Sequence, residues 1–174
     1  RYLVSAPSFF QVNTAAAELL RTIALGFLDA DGASAVADLY AGAGTFTLPM
    51  ARVAGVVRAV EGSRYALADL RRNLEHAGLD ADVVPGDAAH ALGRLGHLDA
   101  ALIDPPRSGI SEHAMQALVR ARIGRLVYVS CDPATLARDV SRLAGAGYTA
   151  QRFAPVDLFP QTYHVETVAL LTRT

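Results

Sequence analysis

Apolar residues follow two alternating patterns along this chain. Short apolar runs predict seven strands, near Val36–Tyr40, Val56–Glu61, Ala81–Val84, Leu98–Asp104, Arg125–Ser130, Tyr148–Phe153 and Val165–Leu171. Helical spacing predicts helices near Phe46–Val53, Arg64–His76, Glu112–Ala121 and Pro133–Ala144, and one more that Asn13 or Thr14 caps. This alternation predicts an α/β fold with a seven-stranded, mostly parallel sheet and helices on both faces. The last two strands have a short polar connection, so we expect an antiparallel hairpin at one edge.

Length and composition indicate one ordinary globular domain, residues 1–174. No apolar run reaches the ~18 residues of a membrane span, and a single cysteine excludes an internal disulfide. We expect a cytoplasmic monomer without a membrane segment. The chain begins at Arg1 without an initiator Met, from which we expect a part, the carboxyl-terminal one, of a longer protein.

Polar residues with chemical potential cluster where the predicted strands end. In α/β sheets ligands bind outside the carboxyl ends of the strands. Gly42 and Gly44 follow the first strand and would let the backbone approach a ligand, and Glu61 ends the second strand, where a carboxylate can bind ribose hydroxyls. The third glycine of the pyrophosphate-binding pattern is absent, which favours a ligand without phosphates. The alternative is a glycine-rich turn beside a surface Glu.

Two aspartates end the third and fourth strands. Asp87 lies where an adenine ring would lie, although an Asx-type turn explains it equally well. Asp104 opens the segment Asp-Pro-Pro-Arg-Ser-Gly, whose prolines predict a stiff loop beside the ligand. The alternative for this segment is a proline-rich turn.

Cys131 and Glu166 are candidates for covalent and acid–base chemistry. Cys131 follows an apolar strand, and the next two residues suit an N-cap (Asp132) and a first helical position (Pro133). A helix N-terminus would lower the thiol pKa and favour a nucleophilic thiolate, whereas a lone cysteine is otherwise a small buried residue. Glu166 opens an apolar strand and is a candidate general base, or else a solvated strand end. The scattered histidines show no metal-ligand spacing, so we predict no metal site.

The order of these motifs resembles the bacterial uracil-5-methyltransferases of tRNA and 23S rRNA. The segments that carry the resemblance are Ser8–Asn13, Asp38–Phe46, Val60–Gly62, Asp104–Gly109, Val127–Asp139 and Phe159–Glu166, which together extend over nearly the whole chain. The resemblance implies a class I, Rossmann-like methyltransferase fold that binds S-adenosyl-L-methionine. It implies cofactor contacts from Gln11, Tyr40, Thr45, Glu61, Asp87 and Asp104, a nucleophile at Cys131 and a base at Glu166. Thr45 and Asp132 depart from the Asn that some members carry at these positions.

The implied reaction is transfer of a methyl group to C5 of a uridine in rRNA or tRNA through a covalent adduct between Cys131 and C6. A formal net charge of −1 is unfavourable for binding phosphates, so we expect RNA to be held mostly by domains outside this chain. One alternative is an RNA methyltransferase of guanine or adenine amino groups, in which Cys131 is structural. Another is a non-catalytic module that binds S-adenosylmethionine.

Overall fold

The fold is a seven-stranded sheet with helices on both faces. The computed structural model describes residues 2–6, 13–158, 160–162 and 165–173. Within these residues the strands are β1 (Ala35–Leu39), β2 (Val56–Glu61), β3 (Asp82–Pro85), β4 (Ala100–Ile103), β5 (Arg125–Ser130), β6 (Tyr148–Val156) and β7 (Glu166–Arg173). The helices are α1 (Thr14–Leu28), α2 (Thr47–Met50), α3 (Arg64–Ala77), α4 (Ala88–Ala91), α5 (Glu112–Ala121) and α6 (Pro133–Gly145).

The strands are ordered β3-β2-β1-β4-β5-β7-β6. The first five in the chain pair in parallel, whereas β7 runs antiparallel between β5 and β6. The predicted α/β class, the mostly parallel sheet and the antiparallel hairpin are therefore confirmed. Only β6 of that hairpin lies at the edge of the sheet, because β7 fills the position beside β5.

Successive residues of the central strands point to opposite faces, and both faces are covered by buried apolar clusters. One face packs against α1 through residues such as Leu20, Ala24 and Leu102. The other face packs against α5 and α6 through a cluster that contains both Ile103 and Leu118. Both faces of the central strands are buried, which explains why they read as continuous apolar runs rather than as alternating ones.

Side-chain caps fix the starts of the longer helices. Asn13, rather than Thr14, caps α1 by accepting a hydrogen bond from Ala16 N at 3.2 Å. Asp132 caps α6 by accepting from Thr135 N at 2.9 Å, with Pro133 in the first turn, as the sequence predicts.

Several element bounds differ from those predicted. The helix predicted at 46–53 is a single turn, α2, because the following residues continue as turns. A short helix, α4, and the 3₁₀ turn Leu92–Arg94 precede β4, which begins at Ala100 rather than Leu98. Strand β6 continues to Val156 through Pro155, which an edge strand tolerates because one side of its backbone has no ladder partner.

Candidate active site

The strand register brings five of the predicted site residues to one rim of the sheet. Leu39 on β1 pairs with Val60 on β2 and with Ile103 on β4, and Ser130 on β5 pairs with Thr167 on β7. The candidate residues lie next to these paired residues, at the rim. They are Tyr40, Glu61, Asp104, Cys131 and Glu166. Because β7 is antiparallel, its first residue lies at the same rim as the last residues of the parallel strands.

Cys131 and Glu166 are neighbours beyond the Ser130–Thr167 pair. Cys131 is partly exposed, whereas Glu166 is buried, with 5% of its surface accessible. Burial raises the pKa of the Glu166 carboxyl. The interpretation of Glu166 as a solvated strand end is therefore wrong.

The expectation that a helix N-terminus lowers the pKa of Cys131 is also wrong. Burial raises the pKa of this thiol, and the nearby Glu166 carboxylate raises it further, against a smaller lowering effect of Arg107. Asp132 already accepts the free amide hydrogen of Thr135 in the first turn of α6. Burial, and then the charge of Glu166, therefore outweigh the lowering effects on this thiol, which favours its protonated form.

The loop after β1 places its two predicted glycines in different environments. Gly42 has a φ of +56° and open space where a Cβ would lie, whereas a Cβ on Gly44 would collide with Leu48 and Leu70. Only Gly42 therefore offers an open backbone surface to a ligand, and Gly44 serves packing. Tyr40 precedes the loop with a φ of 67°, an unusual value for a residue with a side chain.

The Glu61 carboxylate is fixed by two backbone donors. Its Oε2 accepts from Gly42 N at 2.8 Å and its Oε1 from Ser63 N at 2.6 Å. Each oxygen keeps a second lone pair for another donor. A ligand hydroxyl can therefore bind beside the glycine loop without displacing either hydrogen bond.

Asp38 is a buried acid that is not among the predicted site residues. Its Oδ2 accepts from Thr47 Oγ1 at 2.5 Å, and its Oδ1 has no hydrogen-bond partner among the described residues. Its side chain is fully buried, which raises the pKa to about 7, and Glu61 adds to this shift. An aspartate inside the apolar run of β1 is the sequence signal that could have identified it.

Asp104 joins Asp38 and Glu166 in an acidic group at the rim. Burial, and then the charges of Glu166 and Asp38, raise the pKa of Asp104 to about 8. A nearby cation stabilises the ionised form of such carboxyl groups and so lowers their raised pKa values. The chemistry of this group therefore fits a positively charged ligand.

Asp87 and Tyr40 lie beside a cleft of about 500 Å³ at the same rim. Asp87 caps α4, with Oδ1 accepting from Ala89 N at 2.7 Å, so the turn interpretation describes its contacts. Burial, with a further contribution from Asp87, raises the pKa of Tyr40 to about 12. Pro106 and Ile110 from the loop after β4 line the same cleft.

Thr45, Gln11 and His164 are the candidate residues that remain. Thr45 is half-buried in the turn before α2, and its carbonyl accepts a hydrogen bond from Tyr2 at 3.4 Å. Gln11 and His164 lie outside the described residues.

The described part of the chain shows neither a metal centre nor a membrane span. Across residues 2–6, 13–158, 160–162 and 165–173, no three His, Cys, Asp or Glu side chains are grouped so that they could hold a metal ion. None of the helices in these ranges is long and apolar enough to cross a membrane.

Comparison with known protein families agrees with the fold and with the motifs. A family model described as methyltransferase small domain matches residues 10–127, more than half of the chain. The chain belongs to this methyltransferase family. A second model, described as tRNA (uracil-5-)-methyltransferase, matches residues 95–174, which contain Asp104, Cys131 and Glu166. The predicted resemblance to RNA uracil-5-methyltransferases is therefore confirmed, and S-adenosylmethionine is the cofactor of this family.

The curated relatives are longer proteins. An uncharacterized RNA methyltransferase of Streptococcus pyogenes is 41% identical over 177 residues, covering 99% of this chain and 38% of the relative. One from Gloeobacter violaceus is 39% identical over 173 residues, with coverage of 99% and 38%. The chain thus spans about two-fifths of the length of the curated relatives it matches.

Solved structures confirm the class I methyltransferase fold. The tRNA (uracil-54, C5)-methyltransferase of Pyrococcus abyssi, in complex with S-adenosyl-L-homocysteine, is 33% identical with a TM-score of 0.86. The match covers 98% of this chain and 42% of that protein. A precorrin-6y C5,15-methyltransferase of Geobacter metallireducens is 17% identical, with a TM-score of 0.80 and coverage of 99% and 93%, a likeness of fold alone.

Proposed function

We propose that this chain is the catalytic domain, residues 1–174, of an S-adenosylmethionine-dependent RNA (uracil-5-)-methyltransferase. The observation that carries the proposal is the pairing of Ser130 with Thr167, which makes Cys131 and Glu166 neighbours at the rim. A thiol and a carboxyl group at one place are the two groups that methylation of a uracil carbon requires. An amino-group methyltransferase requires neither.

The proposed cofactor site extends along the rim from β3 to β4. Gly42 offers the open backbone surface, and the Glu61 carboxylate, held by Gly42 and Ser63, accepts the ribose hydroxyls. Asp104 lies at the β4 end of this site, where it and the neighbouring carboxyl groups of Asp38 and Glu166 fit a cationic group. When bound, S-adenosylmethionine supplies the methyl group. Further contacts come from Gln11, Tyr40, Thr45 and Asp87. Gly44 contributes to the site through the shape of the loop backbone and not through a contact.

Cys131 acts as the nucleophile. Because burial and Glu166 keep the thiol protonated, a proton must leave the sulfur as it attacks. Cys131 is partly exposed, so solvent water can take up this proton. Addition of the sulfur to C6 of uracil moves the electron pair of the C5–C6 double bond towards C5 and O4. C5 would then take up the methyl group as the bond between that group and the sulfonium sulfur breaks, which would leave S-adenosylhomocysteine.

Glu166 completes the reaction as the base. The methylated adduct still carries the original hydrogen on C5, which the Glu166 carboxylate removes as a proton. The electron pair of that bond re-forms the double bond, and Cys131 leaves as a thiolate. The raised pKa of Glu166 makes it a stronger proton acceptor than an exposed carboxylate.

RNA is the proposed partner, held mostly by parts of the protein outside this chain. The chain has a net charge of −1, and binding to phosphates depends on their neutralisation by basic residues. The target uridine has to leave its stack to reach Cys131, as enzymes that act on bases require.

Analysis of the nucleoside product tests this proposal. RNA from a strain that lacks the gene is incubated with S-adenosylmethionine and the complete protein, and methylated nucleosides are identified by mass spectrometry. We expect 5-methyluridine from the wild type and none from Cys131→Ala. A methylated guanine or adenine, formed equally by both proteins, would replace this proposal with the amino-group reaction. Cofactor binding without any methylated nucleoside would identify a non-catalytic module.

A further inference from the structure

A buried aspartate on α6 connects four surrounding groups. The Asp139 side chain is 0% exposed. Its Oδ2 accepts hydrogen bonds from Ile110 N at 2.8 Å and from the Tyr128 hydroxyl at 2.9 Å. Its Oδ1 accepts from Arg138 Nε at 3.0 Å and is paired with Arg142 at 3.4 Å. The carboxylate therefore links α6 to β5 and to the loop that follows β4.

The same helix holds that loop at three further points. The Thr135 hydroxyl donates to the Arg107 carbonyl at 3.2 Å, and Arg138 donates to the Ser108 carbonyl at 2.9 Å. Arg142 also donates to the Ile110 carbonyl at 3.4 Å. With Ile110 N, four backbone groups between Arg107 and Ile110 are thus bound by side chains of α6. The loop begins directly after Asp104, and α6 begins two residues after Cys131.

Close packing reinforces these hydrogen bonds. Gly109 has a φ of +80°, and a Cβ at this position would collide with Thr135, Arg138 and Asp139. The loop therefore lies against α6 without room for a side chain between them. Pro106 and Ile110 of this loop also form a wall of the cleft beside Tyr40.

We infer that Asp139 is a positioning residue for the attack of Cys131, because it fixes the loop after Asp104 against the helix that begins two residues after the cysteine. This inference rests on the proposed function. Asp139 acts through this loop, whose Arg107 lies 3.8 Å, Nε to Oδ2, from Asp132 and carries a charge that acts on the Cys131 thiol. A small displacement of the loop against the start of α6 is expected to slow a reaction that depends on the alignment of sulfur and C6.

Asp69 on α3 provides a matched control. It is also 0% exposed, and it accepts from Ser5 N at 2.8 Å, from Ser5 Oγ at 2.6 Å and from Arg72 at 2.5 Å. Asp69→Asn therefore removes the same charge from a similar set of donors without touching the loop or α6. Any effect that Asp139→Asn has only through lost stability should appear in this variant as well.

The test measures the rate of covalent trapping. RNA that carries 5-fluorouridine at the target has no C5 proton for Glu166 to remove, so the adduct with Cys131 persists and can be counted on a denaturing gel. The complete protein is used at saturating RNA and S-adenosylmethionine, and cofactor affinity is measured separately by calorimetry. We expect Asp139→Asn to slow trapping by roughly tenfold or more, with cofactor affinity changed by less than about twofold. Asp69→Asn should trap within about twofold of the wild-type rate, whatever stability it loses.

Thr135→Val keeps the test decisive if Asp139→Asn does not fold. It removes a single hydrogen bond to the loop, that to Arg107, and should slow trapping by about threefold. Wild-type trapping rates in Asp139→Asn would overturn the inference about Asp139 and leave the proposed function as it is. If that variant is unfolded, wild-type trapping rates in Thr135→Val would have the same consequence. Equal slowing by Asp139→Asn and Asp69→Asn would also overturn it, by indicating a loss of stability. No trapping by the wild type would contradict the proposed function instead.

Discussion

Glu61 and Gly42 are joined by a hydrogen bond of 2.8 Å from the glycine amide to the glutamate Oε2. This bond connects the end of β2 to the loop after β1, and it holds the carboxylate where we propose that the ribose hydroxyls bind. Glu61→Ala removes the acceptor for the Gly42 amide and for the proposed ribose hydroxyls. We expect the affinity for S-adenosylhomocysteine, measured by calorimetry, to fall by about tenfold or more, which corresponds to roughly 1.4 kcal/mol.

Glu75→Ala is the control for this change. Glu75 is exposed on α3 and lies away from the rim, so its removal should leave the affinity as it is. An unchanged affinity in Glu61→Ala would refute the proposed ribose contact.

Gly42 and Gly78 allow backbone strain to be separated from ligand access. Both have a positive φ, of +56° and +62°, and both have open space where a Cβ would lie. Alanine at either position should therefore cost a similar free energy of unfolding, about 1–2 kcal/mol, from the left-handed conformation. Only Gly42→Ala should also weaken cofactor binding, because Gly78 ends α3 outside the proposed site. Equal affinities of the two variants would contradict the proposed approach of the cofactor to Gly42.

The stability of the unliganded protein should fall as the pH rises from about 5 to about 8. Burial raises the pKa of Asp38 to about 7 and of Asp104 to about 8, from an unfolded value of 3.8. In this window the folded protein retains protons that the unfolded chain has released, so each rise in pH favours unfolding. Asp132 has a lowered pKa, so its contribution to stability is lost only as the pH falls below the ordinary pKa of an aspartate.

Melting temperatures measured across this window test the sign of the effect. Asp104→Asn should make the pH dependence flatter, because it removes the acid with the higher pKa. A melting temperature that rises steadily from pH 5 to pH 8 would show that these carboxyl groups are not protonated in the folded state.

Much of this rim could be predicted because it depends on short-range patterns. Apolar runs mark the strand ends in the sequence, and parallel strands bring their carboxyl ends together. The sequence therefore predicts Tyr40, Glu61, Asp104 and Cys131 at one place. The cap at Asp132 is equally local. The position of the final strand next to β5 then brought Glu166 to the same rim.

The features that sequence analysis missed depend on contacts between distant segments. The thiol pKa of Cys131 is set by burial and by Glu166 on another strand, which no local motif contains. Gly44 resembled a ligand-binding glycine, and its packing against Leu70 of α3 became visible only in the fold. The role inferred for Asp139 likewise depends on the approach of the loop after β4 to α6.

Glu166→Gln should separate the two halves of the proposed reaction. Glutamine is close in shape to glutamate but is a poor proton acceptor, so addition and methylation can proceed while removal of the C5 proton is slow. We expect the complete protein with this change to accumulate a covalent complex on RNA that contains ordinary uridine. Denaturing gels of the wild type, which releases its product, provide the reference. Fast release of 5-methyluridine by Glu166→Gln would assign the base to another residue.

The intact mass of the complex trapped on 5-fluorouridine RNA tests the central claim most directly. Fluorine cannot leave C5 as a proton does, so the reaction should stop after methyl transfer with the sulfur of Cys131 still bound to C6. For the wild-type protein we predict one species with the mass of protein, RNA and one added methyl group, less the hydrogen that the thiol loses, and cleavage into peptides should place the RNA on Cys131. Cys131→Ala should give no such species and no methylated product. A complex or turnover that persists in Cys131→Ala would contradict the covalent mechanism.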